Sequence, residues 1–506
     1  MIHDARTLKG GRLRCDLCVV GSGPGGAMAA MVAAEAGMRV VMLESGELVT
    51  PAQMTQREEE MIPRLLWQAG ARMTHDHGVR VHQGKGVGGS SLHNLNLCKR
   101  IPEVLLRRWA GARRLAHLPF EAWSALYDEV EALLSVTPVP EAQWNRHNTL
   151  LRDGCAALGW RGGGMKHNRT GCLGSGFCEL GCAFDAKNNA LKVLVPRLVR
   201  AGATVLTHAH ALRIETGGGR VRAVTVAALD GANPSETGRL EVLADRVCVA
   251  ASATGSPALL LRSDLDDDAR TTGRSLRLHP SVVVAGDFDE PVRAWMGVPQ
   301  TYECTEHMEF DEGAQRRTWI VPAFGHPMGV ATMLPGHGEA HAELMRRFAH
   351  MAVFAAMLHD ETAGVVEPDG DLGLTMRYTL TPRDRAELAR GLVRCAKLLF
   401  AAGARRVIVP TWRVRVLHAA AEAEALADVP ITPTEIGLTA VHPMGSVPMS
   451  DDPSLGAVDS RGQHHHVGGL WVADGSLFPT SIGGPPQLSV YALGLHVGRS
   501  LVAARG

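Results

Sequence analysis

The stretch that decides the fold is residues 15–46, which read CDLCVVGSGPGGAMAAMVAAEAGMRVVMLESG. The apolar run at its start predicts a buried strand, and the Ala- and Met-rich segment after the glycines predicts a helix. Gly21, Gly23 and Gly26 fit the spacing G-x-G-x-x-G. In that motif the first glycine allows a tight turn, the second lets the backbone approach a pyrophosphate, and the third lets the helix pack closely on the strand. The stretch therefore predicts a dinucleotide-binding unit.

A second apolar run, Arg39 to Leu43, predicts the next strand and ends in Glu44, which lies 18 residues after Gly26. This is close to the spacing of the carboxylate that accepts hydrogen bonds from an adenosine ribose. A second glycine-rich turn follows at 84–94, GKGVGGSSLHN. Its run of small residues is typical of a backbone pressed against a ligand. Strand, glycines, helix, strand and terminal acid in register favour a dinucleotide site over a chance loop.

The composition of the chain narrows its class. Its 506 residues, at about 150 per domain, predict two to four domains or one large interleaved one. Hydrophobic residues at 45% and charged residues at 21% are typical of soluble globular proteins. Lys and Arg total 52, the same as Asp and Glu, so charge gives no reason to expect a nucleic-acid partner. We see no signal peptide and no long apolar run, and therefore expect a cytoplasmic protein.

Four blocks, in order along nearly the whole chain, resemble the glucose-methanol-choline (GMC) family of flavin oxidoreductases. They are GSGPGG with Glu44; GVGGSSLHN; SATGSPALLLRS followed by GRSLRLHP; and AVHPMGSVPM with VADGSLFPTSIGGPPQLSVYALG. The strings YTLTPRDRAELARGL and LFAAGA also resemble the branch with long-chain alcohol oxidases. The resemblance implies an α/β fold, α+β overall, in which a Rossmann-type FAD-binding domain is interleaved with an antiparallel-sheet substrate domain.

The domains that follow from this resemblance are discontinuous in sequence. We expect the FAD-binding domain at 1–100, 185–280 and 431–506. Residues 101–184 form a connecting segment with a cysteine-rich loop, and residues 281–430 form the substrate-binding domain.

The family's FAD contacts fall, by this resemblance, on residues of the glycine-rich turns and of the last strand: Gly21, Gly23, Gly26, Glu44, Gly88, Gly89, Ser90, Asn94, Asp474 and Gly475. His442, in AVHPMG, matches the family's active-site base. Oxidation of an alcohol needs such a group, because the hydroxyl proton must pass to a base within about 3 Å. Histidine titrates near neutral pH and suits this role. The alternative is that His442 only caps a turn.

Two departures from the family pattern concern the catalytic site. The family usually has Asn or His before the proline of its final motif, where it pairs with the base to hold the substrate oxygen. Pro485 stands there and has neither a side-chain donor nor an N–H. His93 stands where an aliphatic residue is usual, next to the turn expected at the flavin, and is the second candidate for the base.

Three cysteines, Cys172, Cys178 and Cys182, have the spacing C-x5-C-x3-C. They are too few for a four-ligand zinc site unless a distant ligand completes it. Their spacing is similar to that in FAD-dependent glucose dehydrogenases of the same family, which carry a three-iron cluster. The open alternatives are structural thiols, a disulfide, or an iron–sulfur cluster that relays electrons.

The sequence predicts an FAD-dependent oxidoreductase that oxidises the CH–OH group of a small-molecule alcohol by hydride transfer to the flavin, with a bulky or lipophilic alcohol as one candidate. Oxygen, a quinone or an electron-acceptor protein are open as acceptors. The alternative functions are non-redox lyase chemistry, such as cyanohydrin cleavage on a retained FAD, and dinucleotide binding without catalysis.

Overall fold

The computed structural model describes residues 1–8, 11–230, 235–265, 270–323 and 325–504. One sheet is built around the strand Arg12–Val20. This strand lies between Val40–Leu43 and Ser235–Val249 and is parallel to both. Thr204–Thr207 and Ile2–Asp4 extend it in parallel on the side of Val40–Leu43. Two antiparallel strands, Arg220–Asp230 and Ala209–Gly217, lie on the other side of Ser235–Val249. Leu470–Val472 also pairs with Ser235–Val249, in parallel.

The carboxyl ends of the parallel strands meet at one edge of this sheet. There Gly21 N–H donates to Leu43 O at 2.8 Å and Glu44 N–H donates to Leu206 O at 2.8 Å. The helix Pro24–Glu35 leaves from this edge. Ligands bind at such an edge in open α/β sheets, so both the glycine turn and Glu44 lie where a nucleotide is expected.

The last helix, Gln487–Ala503, packs directly on Pro24–Glu35. The two backbones touch at glycines: a Cβ added to Gly494 would lie 2.5 Å from Gly25 O, and one added to Gly498 would lie 3.0 Å from Ala29 Cα. This contact brings the chain that precedes the last helix to the edge of the sheet where the first helix begins.

A second sheet is almost entirely antiparallel. Its strands, in spatial order, are Arg415–Leu417, Arg406–Val409, Ser281–Asp287, Met351–Leu358, Thr318–Pro322, Tyr302–Cys304 and Gly162–Gly164. Leu438–Ala440 pairs with Ser281–Asp287 and, in parallel, with Val79–Val81. Three of these strands lie outside 281–430, so the predicted domain boundaries do not coincide with the edges of this sheet.

The remaining elements connect and cover the two sheets. The other helices of the described ranges are Glu58–Leu65, Glu103–Ala112, Phe120–Leu133, Arg146–Leu158, Ala190–Val193, Val195–Arg200, Ser252–Arg262, Pro327–Met333, Gly338–Arg346 and Pro382–Ala401. The remaining strands form a three-stranded sheet and a hairpin: Leu97–Cys98, Val136–Pro138 and Lys166–Asn168, and Val365–Asp369 with Gly373–Arg377. Among the described residues, no helix is long and apolar enough to span a bilayer.

Buried ion pairs join the long helix Pro382–Ala401 to the second sheet. Asp384, which is fully buried, accepts from Arg317 Nη1 at 2.8 Å and from the Thr362 hydroxyl at 2.6 Å. The Arg317 side chain is only 3% exposed, so it depends on this carboxylate for its charge balance.

Replacing Asp384 with alanine should lower the free energy of unfolding by about 3–5 kcal/mol, because it removes the carboxylate 2.8 Å from the buried Arg317 and leaves only the partly exposed Glu361, at 3.9 Å, to balance its charge. Denaturant unfolding measures this. As a matched control, Glu339→Ala removes the exposed ion pair with Arg346 and should cost at most about 1 kcal/mol. Equal losses in the two variants would show that Asp384 does not hold the helix to the sheet.

Candidate functional site

The first glycine turn has the geometry of a phosphate cradle. Gly21 adopts φ +103°, and a Cβ there would lie 2.2 Å from Ala250 O. A Cβ on Gly26 would lie 2.1 Å from Gly21 O, so the helix packs directly on the turn. At Gly23, by contrast, an added Cβ would meet no protein atom within 4 Å. The fold therefore needs glycine at two of the positions, while the third opens on free space at the start of a helix, where backbone N–H groups favour an anion.

The second glycine turn lies against the first. Gly88 and Gly89 adopt φ +113° and +55°, and a Cβ on Gly89 would lie 2.8 Å from Gly23 Cα. The Ser90 hydroxyl accepts from Gly84 N–H at 2.9 Å and closes the turn. Two glycine turns in contact leave their backbones exposed to the same space, which fits a long dinucleotide such as FAD.

Glu44 links the two turns. One carboxylate oxygen accepts from the Ser22 hydroxyl at 2.5 Å and from Ser22 N–H at 3.2 Å. The other accepts from Gly46 N–H at 2.9 Å and from Gly86 N–H at 3.0 Å. The Ser22 hydroxyl also accepts from Gly88 N–H at 3.0 Å. The carboxylate predicted to bind a ribose therefore also holds three backbone segments together from a position only 6% exposed.

The C-terminal turn is fixed by Asp474. Its carboxylate accepts from Ser252 N–H at 2.8 Å, from the Ser256 hydroxyl at 2.5 Å and from Ser476 N–H at 2.8 Å. Burial raises the pKa of Asp474 above its ordinary value. At Gly475, an added Cβ would make only ordinary contacts, 3.5 Å or longer, so the protein alone does not require glycine there.

Asn94 connects the second glycine turn to the last helix. Its amide donates to Gln487 Oε1 at 2.7 Å, and Gln487 in turn donates to Leu97 O at 2.6 Å. Below this turn lies Lys187, which is 1% exposed and donates to Leu92 O, Asn94 O and Cys178 O at 2.5–3.0 Å. Gln487 and Lys187 therefore position the turn, and nothing in their local sequence marks them.

The candidate base, His442, is paired with a second histidine. Arg277 and Met444 form an antiparallel bridge, so the residues two positions further on, His279 and His442, come opposite each other. Their Nδ1 atoms lie 2.8 Å apart, and both rings are buried. Burial lowers the pKa of His442 to about 3 and that of His279 well below its ordinary value. Both rings are therefore neutral at physiological pH.

Polar and aromatic groups surround this pair. The ring of Trp319 lies parallel to that of His279, with centroids 6.3 Å apart. Its indole N–H donates to Glu303, which also pairs with Lys99 at 2.6 Å. Lys99 and Pro485 line one shallow hollow at the surface. Its apolar walls include Phe310 and Ile482.

His93, the second candidate for the base, lies directly after the second glycine turn. Burial lowers its pKa to about 3, and its Nε2 is buried without a hydrogen-bond partner among the described residues. No hydrogen bond within the described ranges joins it to His442. The structure thus pairs His442 with His279 rather than with His93.

The cysteine triad does not form a metal centre in this structure. Cys172, Cys178 and Cys182 are free thiols that line a shallow hollow, and burial raises the pKa of Cys178 to about 11. In the described part of the chain, no group of three His, Cys, Asp or Glu side chains is placed to hold a metal ion. The structure therefore supports neither the disulfide nor the iron–sulfur cluster, because the spacing does not bring the thiols into ligand geometry.

Comparison with known families gives three matches along the chain. A GMC oxidoreductase N-terminal model matches residues 62–281, and a C-terminal model of the same family matches residues 362–494. A model of an FAD-binding domain matches residues 14–74, which hold the first glycine turn and Glu44.

Individual proteins are similar over almost the whole length. The chain is 35% identical over 498 residues to an uncharacterised GMC-type oxidoreductase of Mycobacterium tuberculosis, covering 97% of this chain and 76% of that one. It is 28% identical over 509 residues to a long-chain-alcohol oxidase of Arabidopsis thaliana, covering 95% of this chain and 65% of that one. Pyridoxine 4-oxidase from Mesorbium loti has the same fold, with a TM-score of 0.72 at 19% identity over 96% of this chain and 99% of that one. The predicted fold class is thereby confirmed.

Replacing Gly23 with alanine should leave the fold intact and weaken FAD binding at least about tenfold, a loss of about 1.4 kcal/mol, because the methyl group enters only the free space of the cradle. Flavin absorbance per chain and titration of the apoprotein with FAD measure this. Gly26→Ala should instead lower the melting temperature, since its methyl group meets backbone. Gly111→Ala, in open space on the helix Glu103–Ala112, should leave FAD affinity unchanged and should not lower the melting temperature, since alanine favours a helix over glycine. Full FAD affinity in Gly23→Ala would contradict the assignment of the cradle.

Proposed function

We propose that this chain, which belongs to the GMC oxidoreductase family and has FAD as its cofactor, oxidises the CH–OH group of an alcohol with His442 as the base. The observation that carries the proposal is the neutral, buried imidazole of His442, whose Nδ1 is held by His279 at 2.8 Å. A ring bound through one nitrogen has its other nitrogen available for a proton.

The cofactor site and the base are formed by different residues. Gly21, Gly23 and Gly89 form the space for the pyrophosphate, and Glu44 keeps the two turns in contact. FAD, when bound, would supply the acceptor for the hydride, with its two electrons, that leaves the alcohol carbon. His442 Nε2 accepts the hydroxyl proton, so that the O–H bonding electrons can form the C=O bond.

The apolar residues beside Pro485 favour a lipophilic substrate. Pro485 offers no polar side chain, and Phe310 and Ile482 add apolar walls. The similarity to a long-chain-alcohol oxidase agrees with a lipophilic alcohol. We propose an alcohol of this class as the substrate, and oxygen, a quinone or an electron-acceptor protein as the final oxidant.

The proposal is tested by anaerobic mixing of the purified protein with a panel of short, branched and long-chain alcohols. At least one alcohol should bleach the flavin absorbance. If no alcohol does so while FAD stays bound, the protein does not oxidise these alcohols, and lyase chemistry on a retained FAD becomes the better account.

Replacing His442 with alanine should leave FAD bound but slow flavin reduction by about 100-fold or more, the usual contribution of a general base. Stopped-flow absorbance measures the rate. In the unmodified protein the rate should show no inflection near pH 6.5, because burial lowers the pKa of His442 to about 3 and the ring stays unprotonated from pH 5 upward. His418→Ala, at an exposed position, is the control. An unchanged rate of flavin reduction in His442→Ala would show that another residue is the base, and His93 is the next candidate.

Replacing Pro485 with asparagine should speed the oxidation of small alcohols by up to about tenfold, since one hydrogen bond to the substrate oxygen is worth about 1–1.5 kcal/mol. The same change should slow the oxidation of bulky alcohols, because the new side chain narrows the hollow. Rates of flavin reduction for a small and a bulky alcohol measure both effects. Loss of activity toward both, with FAD still bound, would show that Pro485 shapes the site and that no hydrogen bond is missing.

A further inference from the structure

We propose that His279 is a positioning residue for the base: it accepts the Nδ1 proton of His442 and so keeps His442 Nε2 free to take the proton of the alcohol. This inference rests on the proposed function of His442. It assigns a role to a residue that neither contacts the glycine turns nor carries a charge of its own.

The distance between the two rings limits how protons are placed. Two Nδ1 atoms 2.8 Å apart share one hydrogen: two lone pairs would repel each other, and two N–H groups would collide. If His442 is the donor, its Nε2 carries a lone pair and can act as a base. If His279 is the donor, His442 Nε2 carries a hydrogen and cannot accept a proton from the alcohol.

The backbone holds His279 in a fixed position. His279 adopts φ +53°, which is uncommon for a residue with a side chain. Asp360 accepts from Leu278 N–H at 3.0 Å and from His279 N–H at 3.3 Å, and Tyr378 O–H donates to the same carboxylate at 2.5 Å. Strained conformations of this kind persist where the surroundings over-determine them, and they cluster at functional sites.

The ring of His279 has no competing hydrogen bond in the described part of the chain. It is 1% exposed, and one face lies parallel to Trp319. Its Nε2 is buried without a partner, so its polar contact is the one to His442. A buried nitrogen left unpaired carries a desolvation cost, which an apolar residue at this position would avoid.

The pair also accommodates the product of proton transfer. When the O–H bond of the alcohol breaks, its proton forms a bond to His442 Nε2 and the electron pair stays on the oxygen. His442 is then a buried cation, a costly species without partners. Its Nδ1–H already donates to the neutral His279, and this hydrogen bond strengthens once the donor is charged.

Two variants separate positioning from packing. His279→Asn keeps an acceptor oxygen near the former Nδ1, because the asparagine side chain places its amide at the same distance from the backbone. His279→Leu removes the acceptor and fills similar space. His359→Leu is the control, since it removes a nearby, half-buried imidazole that is not bonded to His442.

The first readout is the tautomer of His442 in the FAD-bound protein, read from long-range proton–nitrogen spectra of ¹⁵N-histidine-labelled samples and assigned with His442→Asn. We expect the Nδ1–H form in the unmodified protein, in His279→Asn and in His359→Leu, and loss of that form in His279→Leu. The second readout is the anaerobic rate of flavin reduction at saturating alcohol. It should fall at least tenfold in His279→Leu and recover most of that loss in His279→Asn.

Some outcomes would overturn the proposal. An Nε2–H form of His442 in the unmodified protein would do so, as would an unchanged tautomer in His279→Leu, or equal slowing in the Leu and Asn variants. Failure of the proposed function is distinguishable, because it would show as an unchanged reduction rate in His442→Ala while the tautomer spectra still report on the pair.

Discussion

The carboxylate of Glu44 is the interaction on which the nucleotide edge of the molecule depends. Four donors from three backbone segments converge on its two oxygens: Ser22 N–H, the Ser22 hydroxyl, Gly46 N–H and Gly86 N–H. All are buried, so removal of the carboxylate would leave several polar groups without partners at a cost of about 1–3 kcal/mol each. The Glu44 carboxylate binds both glycine turns and so holds them in contact with each other. The space for the nucleotide depends on this contact.

The catalytic half of the site is brought to this edge by long-range packing. The close contact of Gly494 with Gly25 sets the last helix on the first, which places Gln487 against Asn94 at the end of the second glycine turn. The bridge between Arg277 and Met444 then sets His279 against His442. One region of the chain therefore shapes the cofactor space and another supplies the base.

The sequence predicted the parts of the site that local patterns determine. The strand, turn and helix at residues 15–46 follow from apolar runs and glycine spacing, and the structure has them as Arg12–Val20 and Pro24–Glu35. The helix Arg146–Leu158 has no such local signal, because residues 136–170 contain many turn-forming residues. Its start is fixed by the Asn145 side chain, which accepts from Asn148 N–H.

Contacts between distant residues were beyond the reach of such patterns. His279 stood in a recognised block, GRSLRLHP, yet its partner lies 163 residues away, and no spacing encodes that pairing. The cysteine triad shows the opposite case, because a suggestive spacing did not yield ligand geometry. Four blocks in order predicted the family, since each is local, whereas the distances between blocks are set by packing.

The most direct test of alcohol oxidation is the stoichiometry of a single turnover without oxygen or any other electron acceptor. The enzyme is mixed with excess alcohol, and the carbonyl product is counted against the FAD that loses its absorbance. The account predicts one aldehyde or ketone for each FAD reduced, with no further product until an acceptor is added. Loss of flavin absorbance without an equal amount of carbonyl product would contradict it, as would FAD that stays bound and oxidised with every alcohol.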